Sequence, residues 1–361
     1  MEHFNPILGN DTTGQKFITC GEIMLRLTPP NYEKIRMASG FEASYGGSEA
    51  NIALALANLG VDSTFFSVVP NNSLGKSAVR WLRSNDVHCT PMILTEPNET
   101  PSNRLGTYYL ETGYGIRPSK VIYDRKHSAI TEYDFSQVDL DALLDGYDWL
   151  HLSGITPALG GELPEICLDA CKAAKARGLT ISCDLNFRKK LWTSQRAGEV
   201  MSQLLPYVDV CIANEEDAKD VFGIEAEGTD INSGKLNRDG YISVARQLSS
   251  RFGCKYVAIT LRSSISANDN DWAGMLYEAA ADKAYFSTTY HVHIVDRVGG
   301  GDSFGGGLIY SMLSGYDAQQ TIDFAVAASC LKHSIEHDFN HVSVAEVAAL
   351  AAGNASGRVQ R

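Results

Sequence analysis

"HIVDRVGGGDSFGGGLIYSML", residues 293–313, decides how the rest of the chain is read. Upstream, Val292 and Ile294 alternate with polar residues as in a strand; downstream, Phe304, Leu308 and Met312 recur every four residues as in a helix. The junction Gly299, Gly300, Gly301 therefore falls at a helix N-terminus. Unpaired N–H groups point outward there, the dipole is positive, and the missing Cβ lets an anion approach the backbone. Ordering so many glycines is costly in backbone entropy, so the chain needs the bare backbone here. Asp302 stands beside these amides. An anion hole next to a carboxylate suits phosphoryl transfer to a hydroxyl: amides stabilise the charge spread over the moving phosphoryl oxygens, and a base accepts the alcohol's proton. A plain helix cap is the competing reading of Asp302.

Two other phosphate motifs fail. The dinucleotide fingerprint G-x-G-x-x-G breaks at Phe304, and the stretch lies near the C-terminus rather than in a first βαβ unit. A P-loop needs lysine and Ser/Thr after its glycines, but Gly305, Gly306 and Gly307 lead into Leu308. "PNNSLGKS" comes nearer but carries Pro70 in place of the first glycine, and reads as a turn before a helix.

Outward from this stretch, the chain alternates strand and helix. "KFITCGEIMLRLTPP" reads as a strand ended by two prolines. "SEANIALALANLG" follows with Ile52, Leu56 and Leu59 at helical spacing, Ser48 able to cap its start and Gly60 at its end. The rhythm breaks at "GTYYLE" and "SKVIYDR", short aromatic and β-branched runs around the turn-rich "TGYGIRP", which predict a β-hairpin-like excursion. It then resumes through "WLHLSG", "LTISCDLN", "YVDVCIAN" and "KYVAITLR", apolar strands separated by helices. The pattern predicts an α/β fold: a doubly wound, mostly parallel sheet covered on both faces, with a small β lid. We expect a single domain over 1–361, with lid strands drawn from about 17–47 and 104–126.

Composition bounds the chemistry. The 361 residues carry 31 Lys+Arg against 43 Asp+Glu, a net charge of −12, without a basic block. Nucleic acid and anionic membranes are therefore not expected partners. The eight cysteines are scattered, several inside apolar runs, and read as buried reduced thiols; Cys167 and Cys171 alone make a poor zinc site. The first sixteen residues lack an apolar signal core, and no run of about 18 apolar residues occurs, so the cytoplasm is the expected compartment.

"DRVGGGDSFGGG" resembles the C-terminal signature D-T-x-G-A-G-D-x-F of the ribokinase-like (PfkB-type) carbohydrate kinases, and "YGGSEANIALALANLG" resembles their N-terminal G-G-x-x-x-N signature. Both occur in order at opposite ends of the chain. The resemblance implies Asp302 as catalytic base, Gly299, Gly300 and Gly301 as anion hole, Gly46 and Gly47 against the sugar with Asn51 reaching toward it, and ATP and Mg2+ as cofactors. Arg297 replaces the usual threonine and Gly300 the usual alanine, changes expected to leave the amides in place. The family's N-x-x-E element, which organises magnesium-bound water, appears as "NEED", giving Asn214 and a carboxylate one methylene shorter, Asp217. Helix capping is the alternative for both. The nucleotide strand "AITLRSS" offers Thr260 and Arg262, the latter facing ATP phosphates or solvent, but lacks the usual glycine after leucine.

"KVIYDRKHSAI" and "DLNFRKKLW" look like segments of the 2-keto-3-deoxygluconate kinases within this family. That resemblance implies Tyr123, Arg125, Arg188 and Tyr108 as sugar-acid contacts. The chemistry agrees, because a C1 carboxylate is well served by a planar guanidinium and a tyrosine hydroxyl. The expected function is ATP-dependent phosphorylation of the terminal hydroxyl of 2-keto-3-deoxygluconate or a close sugar acid, in a homo-oligomer formed through the lid. A fructokinase or ribokinase acting on a neutral sugar, or a sugar-sensing homologue without catalysis, are the alternatives.

Overall fold

A computed structural model describes residues 14–214, 216–225 and 238–355. Most of the polar leader, of the polar loop after 225 and of the C-terminal tail lies outside the described residues.

The apolar strands build a nine-stranded sheet. Strands 62–66, 16–20, 149–153, 180–184, 210–213 and 256–264 run parallel in that spatial order. The sheet then reverses into 269–278, which pairs antiparallel with 256–264 and carries 283–286 and 290–293 along its far edge. Alternation within each strand feeds two cores. Val210, Ile212 and Ala258 face helices Ser48–Asn58, Gly300–Leu313 and Ala318–Lys332, whereas Cys211, Ala213, Val257 and Ile259 face helices Leu163–Ala176, Ser194–Leu204 and Arg238–Phe252. Strands covered on both faces need apolar residues at every position, which is why they read as runs. All eight cysteines are unpaired, and seven of them are buried.

The segment read as one strand is two. Lys16–Cys20 joins the large sheet, and after a break at Gly21–Ile23 the chain re-enters as Met24–Thr28 in a separate four-stranded sheet, ordered 42–46, 24–28, 107–111, 120–124. The lid sheet therefore begins at Met24, not near 17. The predicted hairpin is its antiparallel pair 107–111 and 120–124.

The second glycine triplet has a packing role. A Cβ on Gly306 would lie 3.0 Å from Ala55 Cβ, and one on Gly307 3.0 Å from both Ala325 Cα and Ala328 Cβ. These glycines let Gly300–Leu313 press against both neighbouring helices, although each costs the helix about 0.5–1 kcal/mol relative to alanine. That close approach holds the first triplet in place.

Candidate active site

The C-terminal ends of the parallel strands and the inner face of the lid sheet enclose a cavity of about 340 Å³. Open α/β sheets place ligands at these strand ends. Gly299 begins the long glycine-led helix with φ of 82°, and a Cβ there would overlap the Asp338 carbonyl oxygen, so only glycine fits. The Gly300 amide bonds weakly back to Arg297 at 3.4 Å, whereas the Gly301 and Asp302 amides have no acceptor among the described residues. Gly299 and Gly301 line the cavity; Gly300 packs against the His333 imidazole instead.

Asp302 receives 2.7 Å and 2.6 Å hydrogen bonds from Ser48 Oγ and Asn51 Nδ2. Ser48 thus does not cap its own helix, whose N-cap is Gly47 without a side-chain bond. Its hydroxyl, held by Asn186 Nδ2 at 3.1 Å, serves the carboxylate of a helix 254 residues away. Burial raises the Asp302 pKa, while the Asn51 and Ser48 donors and the Arg188 charge act against the rise. Asn51 is itself oriented by the Gly47 amide, which donates to its Oδ1 at 3.3 Å. Gly47 lines the cavity; Gly46 does not, and lies under the Asp338 carboxylate.

The lid sheet contributes Tyr108, Tyr123 and the adjacent Arg125. Tyr108 is buried and its hydroxyl lies 2.6 Å from both Asp338 carboxylate oxygens. Arg125 pairs with buried Glu22, whose other oxygen accepts from Ser128 at 2.5 Å, and lies 5.4 Å over the Tyr123 ring. Arg188 differs: it is exposed and lines the cavity, its guanidinium makes no hydrogen bond or ion pair among the described residues, and its charge reaches Asp184 and Asp302. Thr260, Arg262 and Arg297 line the same cavity. Burial, and then the Arg262 charge beside it, lowers the Arg297 pKa.

Asn214 and Asp217 line the cavity too, but their oxygens are engaged in capping. Asn214 Oδ1 accepts from the Glu216 and Asp217 amides, and Asp217 accepts from the Asn214 and Phe187 amides. Among the described residues no group of three or more His, Cys, Asp or Glu side chains can hold a metal.

The pfkB family carbohydrate kinase model matches residues 15–334. The chain belongs to the pfkB family of carbohydrate kinases. A 2-dehydro-3-deoxygalactonokinase of Haloferax volcanii is 29% identical to this kinase over 342 residues, covering 95% of this chain and 98% of the relative. A 2-dehydro-3-deoxygluconokinase of Thermoproteus tenax is 25% identical, covering 89% of each chain. The crystal structure of the Thermotoga maritima 2-dehydro-3-deoxygluconokinase superposes on the kinase with a TM-score of 0.89 at 48% identity, over 94% of this chain and all of that one.

Sequence reasoning missed, among others, Glu22, Glu49 and Asp338, which line the cavity, and Arg26, which lies behind it. Glu49 lies buried, accepting 2.6 Å hydrogen bonds from Ser153 and Thr156, with its pKa raised by burial. Arg26 shares a strand face with Met24 and Thr28, and all three are buried, whereas the sequence puts Leu25 and Leu27 on the other face and so points Arg26 outward. A charge on the inward side of an apolar strand demands a partner.

Proposed function

We propose that this kinase transfers the γ-phosphoryl group of ATP to the terminal hydroxyl of 2-keto-3-deoxygluconate or a close 2-keto-3-deoxy sugar acid. The observation that carries the substrate class is Arg188, whose guanidinium makes no hydrogen bond or ion pair among the described residues and lies in the cavity that holds Asp302. A neutral sugar has no use for such a charge, whereas a carboxylate takes a bidentate, charge-assisted contact from it. Arg125, already paired with Glu22, is the secondary contact, with Tyr108 and Tyr123 offering hydroxyls. The names of the similar proteins from Haloferax, Thermoproteus and Thermotoga support the same class.

In this mechanism Asp302 accepts the hydroxyl proton while the sugar oxygen attacks the γ-phosphorus. The free Gly301 and Asp302 amides donate to the transferring phosphoryl oxygens, with Gly299 fixing the turn that aims them. Ser48 and Asn51 hold the carboxylate and favour its ionised form against burial. Thr260, Arg262 and Arg297 receive the nucleotide. Mg2+, held mainly by phosphates and water, offsets phosphate charge when bound, and Asn214 and Asp217 reach it only through water. The lid sheet, on closing, excludes water that would otherwise hydrolyse ATP. Its edge strand 120–124 exposes Ile122 and Tyr123, and self-association through this sheet in the cytoplasm belongs to the same proposal.

An ADP-coupled assay over 2-keto-3-deoxygluconate, 2-keto-3-deoxygalactonate, fructose and ribose tests the substrate. Turnover of a keto-deoxy acid at least about tenfold more efficient than of either neutral sugar is expected; the reverse order overturns the proposal.

A further inference from the structure

Arg26 lies on the lid strand Met24–Thr28 and is 2% exposed, yet its guanidinium leaves the lid sheet altogether. Nη1 donates to Asp338 Oδ1 at 2.6 Å and Nη2 to Asp296 Oδ2 at 2.5 Å, while Nε donates to Thr28 Oγ1 at 2.9 Å. The two carboxylates have different tasks. Asp338 meets the Tyr108 hydroxyl, lies over Gly46 and lines the cavity on its lid side, and its backbone carbonyl abuts Gly299. Asp296 stands at the entrance to the phosphate turn: Oδ1 accepts from the Val298 amide at 3.0 Å and Oδ2 from the His337 amide at 3.1 Å. Behind it the buried Lys332 ammonium donates to the Asp296 and Ile335 carbonyls at 3.3 and 3.2 Å. Arg26 thus meets two buried carboxylates, with the Lys332 ammonium bonded to the backbone behind them. Of the charged groups Arg26, Lys332, Asp296 and Asp338, Arg26 alone comes from the lid.

A planar fork between two desolvated carboxylates tolerates little change in angle. If the lid strand shifts, Asp338 and Asp296 must shift with it or lose a charge-assisted bond in a dry site. We propose that Arg26 is a positioning residue that couples the two halves of the cavity: a sugar drawing down the lid sheet sets the Asp296–Gly299 turn for the nucleotide phosphates, and nucleotide on that turn sets the lid for sugar. Arg26 touches neither ligand. The inference rests on the proposed function to the extent that sugar and nucleotide occupy the cavity together.

Arg26→Lys is the discriminating variant. It keeps the charge but replaces the fork with a single ammonium that cannot span both carboxylates in parallel. Binding of adenosine 5′-(β,γ-imido)triphosphate is measured by calorimetry, in magnesium buffer, with and without saturating 2-keto-3-deoxygluconate. In the wild type, sugar tightens the nucleotide analogue by about fivefold or more, the lower end of ordinary coupling between sites. In Arg26→Lys each ligand alone keeps its affinity within about twofold, and the enhancement falls to about onefold. Retention of the enhancement overturns the proposal, and so does a parallel loss of both single-ligand affinities, which marks Arg26 as purely structural. Asp296→Asn, which keeps the Oδ1 acceptor for the Val298 amide but puts an amide NH2 in place of the oxygen that accepts from Arg26 and the His337 amide, gives the same readout should Arg26→Lys not fold. Failure of the wild type to turn over the keto-deoxy acid counts against the substrate alone. Coupling is then read with whichever sugar the wild type phosphorylates.

Discussion

Asn51 donates a 2.6 Å hydrogen bond to Asp302 Oδ2, joining residues 251 apart in sequence. This bond favours the ionised carboxylate, and burial opposes it. A general base acts only when deprotonated, so kcat/KM should fall as pH drops through the Asp302 pKa, above the ordinary carboxylate range. Asn51→Ala removes one donor to the anion and raises that pKa further. Its acid limb should move to higher pH by about one to two units, since a hydrogen bond to a charged group contributes about 1.5–3 kcal/mol and one unit is about 1.36 kcal/mol. A pH–rate profile with an unmoved acid limb would show that Asn51 does not tune the base.

Arg188→Met should separate charge recognition from shape. The KM for a keto-deoxy acid is expected to rise about 10- to 100-fold, and that for a neutral sugar by less than about threefold. Equal effects on the two sugars would remove Arg188 from carboxylate binding. Arg125→Met has a different signature, because it leaves Glu22 buried without its partner. Breaking such a pair costs about 3–5 kcal/mol, so its melting temperature should fall along with its sugar affinity.

Gly299→Ala and Gly301→Ala should diverge. The first places a Cβ on a residue with φ of 82° and into the Asp338 carbonyl; the second meets nothing within 4 Å. Gly299→Ala is expected to lose activity and several degrees of melting temperature, and Gly301→Ala to fold as the wild type does. Thermal unfolding with indistinguishable midpoints would contradict the close approach at Gly299.

His151 sits fully buried in the large sheet, with Nδ1 2.8 Å from Ser182 Oγ and Nε2 without a partner among the described residues. Burial pushes its pKa down to about 3. The unfolded chain takes up this proton near pH 6.5 and the folded chain only near 3, so the associated stability is present above about 6.5 and declines as pH falls toward 3. Buried carboxyls with raised pKa values, such as Glu49, act in the opposite sense, so the contribution is read as a difference. His151→Gln should show a shallower loss of melting temperature than the wild type between pH 6.5 and 4.5. Parallel curves would mean that His151 titrates normally in the folded protein.

Local pattern carried the fold well. The Gly299–Gly301 junction, the helix after it and the parallel strands all follow from period and punctuation, because a doubly wound sheet leaves apolar runs of strand length. What escaped was set by distance. Ser48 reads as a cap because Ser commonly caps helices, but its hydroxyl is drawn to Asp302 by tertiary packing that no local window contains. The break at Gly21–Ile23 separates two sheets, yet both halves read as strand. Arg26 and Asp338 lie 312 residues apart, and neither signals the other. The capping geometry of Asn214 and Asp217 shows the reverse: the modest local alternative describes their hydrogen bonds, and any cation contact adds to it.

The central claim is that Asp302 deprotonates the acceptor hydroxyl beside a turn that holds the transferring phosphoryl group. Asp302→Asn keeps the side chain's shape and removes its basicity. Single-turnover phosphorylation of the preferred sugar, with sugar affinity measured in parallel by calorimetry, tests the claim most directly. The account predicts a rate lower by at least about two to four orders of magnitude with sugar binding within a few-fold of wild type. Turnover retained at the wild-type rate would contradict it.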